Sequence, residues 1–372
     1  MHFVKSLILT VSAFTAVVYG NKSKKIFIDN DGATTPDVLI PIFYGYEILG
    51  YSASFGSSSL VDSVGATYNV LDMLNMTKCI PLYVGANNPL IRTNDSFHRW
   101  EDLYGTLYWQ GGFSPDYQDM YSWADIQYNE EIPGALALIN AVKKYPGEVE
   151  VYAAGTMTTV AQALSIYPDL VEDAAGLTIM GGYIDGQYVS AVEGGLVSDL
   201  FSDINLIQDP EAAQIALTAP WKSVTIAGNI TNSLFHTTDE YQKIIKDLGG
   251  LGLIQSDPKL QYVKEFVGNG TAAPHGEENL PYWDEMAVGF VVNKDLIKQS
   301  VNISFAIDTA FDSPFYGQLR LWPENLAPKK GIRIGRAQLI TEVDSDMFLN
   351  TITNIYTQDW SSYCTTNKFT KF

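Results

Sequence analysis

Lys25-Ile26-Phe27-Ile28-Asp29-Asn30-Asp31-Gly32-Ala33-Thr34-Thr35-Pro36-Asp37 is the stretch on which the reading of this chain turns. Residues 25–28 form a short apolar run and residues 29–32 a polar one, the pattern of a buried strand that ends in a loop. Carboxylates placed this way sit at the carboxyl end of a strand, where ligands of open α/β sheets bind. Asp29, Asp31 and Asp37 offer the hard oxygen donors that suit calcium or magnesium. Asp, Asn and Gly also build ordinary solvated turns, so the loop alone leaves both readings open. The spacing is not that of an EF-hand, and a metal here would draw further ligands from elsewhere in the chain.

The same strand-then-loop grammar recurs at Ile48–Phe55, Ile80–Val84, Val149–Ala154, Leu177–Met180 and Ser223–Ala227. Helical periodicity runs through Ala66–Met76 and Ala135–Lys144 between them. Alternation of this kind predicts an α/β fold, a mostly parallel central sheet with helices on both faces, Rossmann-like in plan. No repeat or Pro/Gly/Ser-rich linker divides residues 21–372, which are read as one domain. Residues 114–131, polar and rich in tyrosine, are expected to be a surface insertion or a lid.

With 46% apolar residues among 372, the chain can bury a large core. Its net charge of −19 disfavours nucleic acid and anionic membranes as partners and favours cations and neutral small molecules. Lys5, the apolar stretch Leu7–Val18 and the small-residue site Val18-Tyr19-Gly20 predict a signal peptide over residues 1–20 and a secreted, extracellular protein. Six sequons, at Asn21, Asn75, Asn94, Asn229, Asn269 and Asn302, agree with a glycosylating export route. No later apolar run is long enough to span a bilayer. Cys79 and Cys364 are the only cysteines, too few for a thiolate metal site; an oxidising compartment would allow one bridge between them.

The order of motifs resembles the inosine-uridine preferring nucleoside hydrolase family. Asp29-Asn30-Asp31 and Asp37 are similar to that family's opening Asp-x-Asp-Pro-Gly-x-Asp-Asp, with a loop longer by one residue. Gly85 to Pro89-Leu90 resembles its Gly-x-x-x-Pro-Leu segment, Gly155-Thr156-Met157-Thr158-Thr159 its Gly-Pro-Leu-Thr-Asn turn, and Met180-Gly181-Gly182 its Met-Gly-Gly strand end. Asp203-Ile204-Asn205, then Asp209 to Ala213, look like Glu-Phe-Asn and Asp-Pro-Glu-Ala-Ala; Trp283-Asp284 stands where the family has His-Asp, and Val343-Asp344 with Phe348 resembles the closing strand and helix.

The resemblance implies hydrolysis of the N-glycosidic bond of ribonucleosides to free base and ribose. It implies a calcium ion held by Asp31, Asp37, the backbone carbonyl of Thr158 and Asp284, with Asp31 deprotonating the attacking water. Asp203 and Asn205 would hold the sugar hydroxyls, although Asn205 is also placed to cap the following helix, where Asp209 and Pro210 fit better. A homo-oligomer is compatible with this reading.

Three positions depart from the family pattern. Pro36 removes one carboxylate that contacts ribose in relatives, leaving the hydroxyls of Thr34 and Thr35. Ser57 stands where many relatives have Asn, which weakens another sugar contact; its hydroxyl can still give and take one bond, or it is a plain turn residue. Trp283 replaces the His that in some relatives protonates the leaving base; indole carries no proton that titrates near neutrality, which leaves Trp283 as a stacking residue for the base or as a plain core residue. His236 and His275 are candidate substitute acids, and Tyr104, Trp109, Tyr282 and the tyrosines of the insertion are candidate base-pocket aromatics. The alternative function is a non-catalytic member of the fold that keeps the calcium and binds a ribosyl ligand or a partner. The absence of a Gly-x-Gly-x-x-Gly after the first strand and of a Gly-x-Ser-x-Gly elbow disfavours a dinucleotide enzyme and a serine hydrolase.

Overall fold

The computed structural model describes residues 24–107, 109–184, 203–271 and 280–366. The expected signal peptide, Asn21 and His275 lie outside them. Among the described residues, no helix is long and apolar enough to cross a membrane.

The strands are β1 (Lys24–Asn30), β2 (Tyr46–Ala53), β3 (Leu82–Val84), β4 (Val149–Ala154), β5 (Ala174–Ile179), β6 (Val224–Ile226), β7 (Ile297–Ile307), β8 (Leu319–Trp322) and β9 (Gly335–Val343). They make one sheet in the order β3-β2-β1-β4-β5-β6-β9-β7-β8. Neighbours from β3 to β9 are parallel, and β7 is antiparallel to both β9 and β8. The expected mostly parallel sheet is present, extended by an antiparallel edge that the sequence pattern did not reveal.

Among the described residues, helices of eight or more residues are α1 (Thr35–Phe43), α2 (Leu60–Met73), α3 (Asn94–Tyr104), α4 (Gly134–Lys144), α5 (Thr158–Ile166), α6 (Pro210–Leu217), α7 (Thr238–Asp247), α8 (Trp283–Val292) and α9 (Ser345–Thr357). Alternation along β1 sends Ile26 and Ile28 to one face, into a core shared with α1, α2, α8 and α9. Phe27 goes to the other face and packs with α4, α5 and α6. Strands β2 and β4 flank β1 and lead to crossovers on opposite sides, so a crevice opens at the carboxyl ends of β1 and β4.

Two local details move residues relative to the sequence reading. The acidic stretch is not one loop: Asp29 and Asn30 end β1, and Asp37 lies in the first turn of α1. Thr34 is the N-cap and Asp37 accepts its N–H at 2.8 Å, so Asp37 closes the start of the helix. Helix α2 begins at Leu60, six residues before the periodic run, because the Ser59 hydroxyl caps it by accepting from the Asp62 N–H at 3.4 Å.

Asp62, almost wholly buried, then clasps the insertion, accepting from the Tyr117 hydroxyl at 2.7 Å and from the N–H groups of Met120 and Tyr121 at 2.8 and 2.9 Å. No residue of 114–131 lines the cavity described below, so the insertion is a buttress on α2 rather than a lid. Cys79 and Cys364 form a disulfide that ties the chain beyond α9 to the segment after α2.

Candidate functional site

Asp31 is the first residue past β1, and its surroundings leave it one position. Its Oδ2 accepts the Ser57 N–H at 2.6 Å, and its carbonyl accepts the hydroxyls of Ser57 and Ser63 at 3.2 and 2.7 Å. A Cβ on Gly56 would collide with the Asp31 carboxylate, and one on Gly155 would meet Asp31 Cβ and N at 3.0 Å. The two glycines therefore let neighbouring loops close around this acid. Burial pushes Asp31 up to about 6, against the lowering pull of the Ser57 N–H. Ser57 thus acts as the clamp of Asp31, a role the sequence did not suggest.

Asp37 and Asp284 join Asp31 in one electrostatic cluster. Burial raises Asp37 well above the usual carboxylate range, and the neighbouring charges of Glu285 and Asp31 raise it further. Asp284 is raised by burial first and then by Asp37 and Asp31. Asn30 bridges the pair, its Nδ2 lying 3.1 Å from Asp284 Oδ2 and 3.5 Å from Asp37 Oδ2. Thr34 Oγ1 lies 2.9 Å from Asp37 Oδ2 and 3.0 Å from Glu285 Oε1, which brings in a fourth acid. Asn30 and Glu285 are site residues the sequence reading missed. The signal available for Glu285 was its place next to Asp284 at a helix start.

Among the described residues, no three acids converge as a ready-made metal site. Asp31 is turned to Ser57 and Asp37 Oδ2 to the start of α1. The cluster nevertheless fits a hard cation, because the fully buried Asp37 Oδ1 has no hydrogen-bond partner. Like charges gathered in a buried site are costly without a counter-charge. Behind them Asp29, wholly buried and pushed up to about 7 by burial, has Ser52 and Thr159 beside it without a well-formed hydrogen bond. Thr158 opens α5 and stands outside the cavity lining, with its hydroxyl donating to Asp209 Oδ2 at 2.6 Å.

A cavity of about 510 Å³, within the range of small-molecule sites, is lined by Asp31, Ser57, Asp203, Asn205, Asp284 and Glu285 among others. Asp203 is buried and accepts the N–H groups of Gly182 and Tyr183; burial pushes it up to about 6. Asn205 Nδ2 donates to the Met180 carbonyl at 3.2 Å. Capping belongs to Asp209, whose Oδ1 accepts the Ala212 N–H at 3.1 Å while Oδ2 holds the Leu90 N–H at 2.8 Å.

The aromatic part of the lining is Trp109, Tyr183, Tyr262, Phe266, Trp283 and Tyr356, with His236. Trp109 and Trp283, both candidates from the sequence, line the cavity. Tyr104 is elsewhere, its hydroxyl donating to the Asp312 carbonyl, and Tyr282 is fully buried beneath His236. Trp283 Nε1–H donates to Asn232 Oδ1 at 2.6 Å, so its ring offers the cavity a face but no hydrogen bond. His98 is bound to Glu101 and the Phe113 carbonyl, outside the cavity.

The family model for inosine-uridine preferring nucleoside hydrolases matches residues 26–350. The chain belongs to that family. It is 41% identical to the uncharacterized protein C800.11 of Schizosaccharomyces pombe over 98% of this chain and 93% of that protein. It is 22% identical to the pyrimidine-specific ribonucleoside hydrolase RihB of Escherichia coli over 80% of this chain and 87% of that protein. Among solved structures, a plant nucleoside hydrolase aligns with a TM-score of 0.64 at 17% identity, covering 90% of this chain and 99% of that one. A purine-preferring ribonucleoside hydrolase from Gardnerella vaginalis aligns at 0.62 and 20%, covering 91% and 99%. The fold of this nucleoside hydrolase family member is thus the one its motifs implied, and family and fold support ribonucleoside hydrolysis as its general chemistry.

Proposed function

We propose that this protein is a calcium-dependent ribonucleoside hydrolase that acts outside the cell and releases free base and ribose. The observation that carries the reading is the electrostatic coupling of Asp31, Asp37 and Asp284, with the orphaned buried Oδ1 of Asp37, beside a cavity lined by Asp31, Asp284, Asp203, Asn205 and an aromatic wall. Calcium bound there would supply the charge that acidifies a water and fixes sugar hydroxyls.

Asp31, immobilised by Ser57 and the two glycines, takes the proton of the water that attacks the anomeric carbon. As the carbon–nitrogen bond breaks, its electron pair passes to the base, which leaves as an anion and takes its proton from solvent water. Asp203 and Asn205 orient the ribose through acceptor oxygens, their outer contacts being already fixed on Gly182, Tyr183 and Met180. Trp283 stacks on the base and does not protonate it, since its one N–H is held by Asn232. Secretion rests on the residues that read as a signal peptide and on the sequons, and the disulfide suits an oxidising compartment.

The test is base release from a panel of purine and pyrimidine ribonucleosides, with calcium and after chelation. Calcium-dependent release is expected, Asp31→Ala and Asp284→Ala are expected to lose calcium binding by calorimetry while remaining folded, and Trp283→Ala should weaken purine nucleosides more than pyrimidine ones. A folded protein that binds calcium but releases no base would overturn the reading in favour of a non-catalytic ribosyl-binding member of the fold.

A further inference from the structure

One part of the cavity wall is built by two short segments that run antiparallel. Tyr282 N–H donates to the Leu234 carbonyl at 2.9 Å, His236 N–H donates to the Leu280 carbonyl at 3.2 Å, and Phe235 pairs with Pro281 between them. This pairing lays the His236 imidazole on the Tyr282 ring, with centroids 3.8 Å apart and planes inclined by 30°. Phe266 packs against the same imidazole at 5.4 Å. The ring is therefore fixed in position and tilt before any ligand arrives.

Its protonation pattern is fixed as well. Nδ1 lies 3.0 Å from the hydroxyl of Tyr241, a buried phenol with no other hydrogen-bond acceptor among the described residues. A buried hydroxyl gives its proton to the acceptor within reach, so Tyr241 donates to Nδ1 and the imidazole carries its hydrogen on Nε2. Burial lowers the ring to about 4, and it stays neutral at neutral pH. Among the described residues Nε2 has no partner, while the ring lines the same cavity as Asp31 and Trp283. With the Trp283 N–H held by Asn232, His236 is a directional donor on this aromatic wall.

We infer that His236, through its Nε2–H, donates a hydrogen bond to a ring nitrogen or carbonyl oxygen on the edge of the nucleobase and is a residue by which this site recognises the base. The inference rests on the nucleoside reading above and assigns the base half of that ligand to a named group. The donor acts in two stages. It selects bases that present a lone pair on the edge facing it, and a ligand lacking that acceptor leaves a desolvated N–H unpaired. As the glycosidic bond lengthens, electron density moves onto the base, and a fixed neutral donor gains strength with the developing charge. His236 is a recognition residue rather than the general acid considered from sequence, because a ring held neutral has no proton to give at neutral pH.

The experiment measures equilibrium binding by calorimetry with calcium present, using wild type, His236→Phe and Tyr241→Phe. The ligands are 9-deazainosine and pseudouridine, whose carbon–carbon glycosidic bonds resist hydrolysis, and 1,4-anhydroribitol, which has the sugar and no base. His236→Phe keeps the stacked ring and is expected to lose about tenfold in affinity for the base-bearing ligands while holding 1,4-anhydroribitol as wild type does. Tyr241→Phe frees the imidazole to move its hydrogen to Nδ1 and is expected to lose a smaller factor, again for base-bearing ligands alone. Should both variants fold and bind all three ligands as wild type does, the His236 assignment is overturned and the nucleoside reading stands. If wild type binds none of the three, the nucleoside reading itself fails and the assignment falls with it.

Discussion

Replacing Gly56 with alanine sets a methyl group against the carboxylate of Asp31. The backbone at 56 is not in the left-handed region, so alanine meets no conformational strain of its own and the collision is the whole perturbation. Gly56 cannot retreat, because its N–H donates to the Ser58 carbonyl at 3.1 Å and its carbonyl accepts the Gly112 N–H at 2.9 Å. Asp31 must turn instead and give up the 2.6 Å bond from Ser57 N–H. A hydrogen bond to an ionised carboxylate contributes about 1.5–3 kcal/mol, and an extra methyl in a packed site costs about 1–3 kcal/mol. Gly56→Ala should therefore lose about 3–5 kcal/mol of unfolding free energy in urea. Base release should fall about a hundredfold, since a displacement of an ångström at the reacting group costs that much. Gly252→Ala, at an exposed position with open space around the new methyl, is the control and should leave both readouts near wild type. A Gly56→Ala protein that unfolds within about 1 kcal/mol of wild type and keeps its release rate would refute the claim that the glycines set the position of Asp31.

Asp62→Ala strands the N–H groups of Met120 and Tyr121 and should cost about 3 kcal/mol, with new protease cleavage within residues 114–131. Nucleoside turnover should survive it, because the insertion does not line the cavity. His236 contributes a pH dependence of definite sign: its folded value of about 4 lies below the ordinary 6.5, so the unfolded chain binds more protons between those values and stability falls as pH drops through that window. Comparing urea unfolding of His236→Phe with wild type from pH 7.5 to pH 4 should show the variant gaining about 3 kcal/mol relative to wild type, and parallel curves would contradict the buried neutral ring. Cys79→Ser opens a loop closed over 285 residues and should lower stability by about 2–4 kcal/mol, matched by wild type under reductant.

The parallel half of the sheet was legible because each of its strands is a short apolar run stopped by Gly or an acid, as Val149–Ala154 is before Gly155. β7 was not, because its first seven residues are exposed or half-buried and only Phe305 to Ile307, with Ser304, enter the core, so neither alternation nor an apolar run marks it. In the site, Asp31 and Asp37 were readable as closely spaced carboxylates and Asp284 only through the family's His-Asp position, and the structure adds the Asn30 bridge between the last two. Ser57 was read by its hydroxyl, whereas its backbone N–H does the closest work on Asp31, and backbone donors have no letter in a sequence. The insertion's tyrosines were assigned to a base pocket on composition; Asp62, some sixty residues earlier, decides where they go, and no local pattern connects the two.

The bond between Cys79 and Cys364 joins two pieces of chain that both bear on the cavity: α2 supplies Asn69, Val70 and Met73 to its lining, and α9 supplies Tyr356. The segment from α9 to Cys364 is thus a rafter of the binding chamber. Protein made in a reducing cytosol would keep its acids and lose the cross-tie between these two walls, and its ligand affinity would then depend on the history of the preparation. Batches should therefore be compared by thiol titration before their affinities are compared.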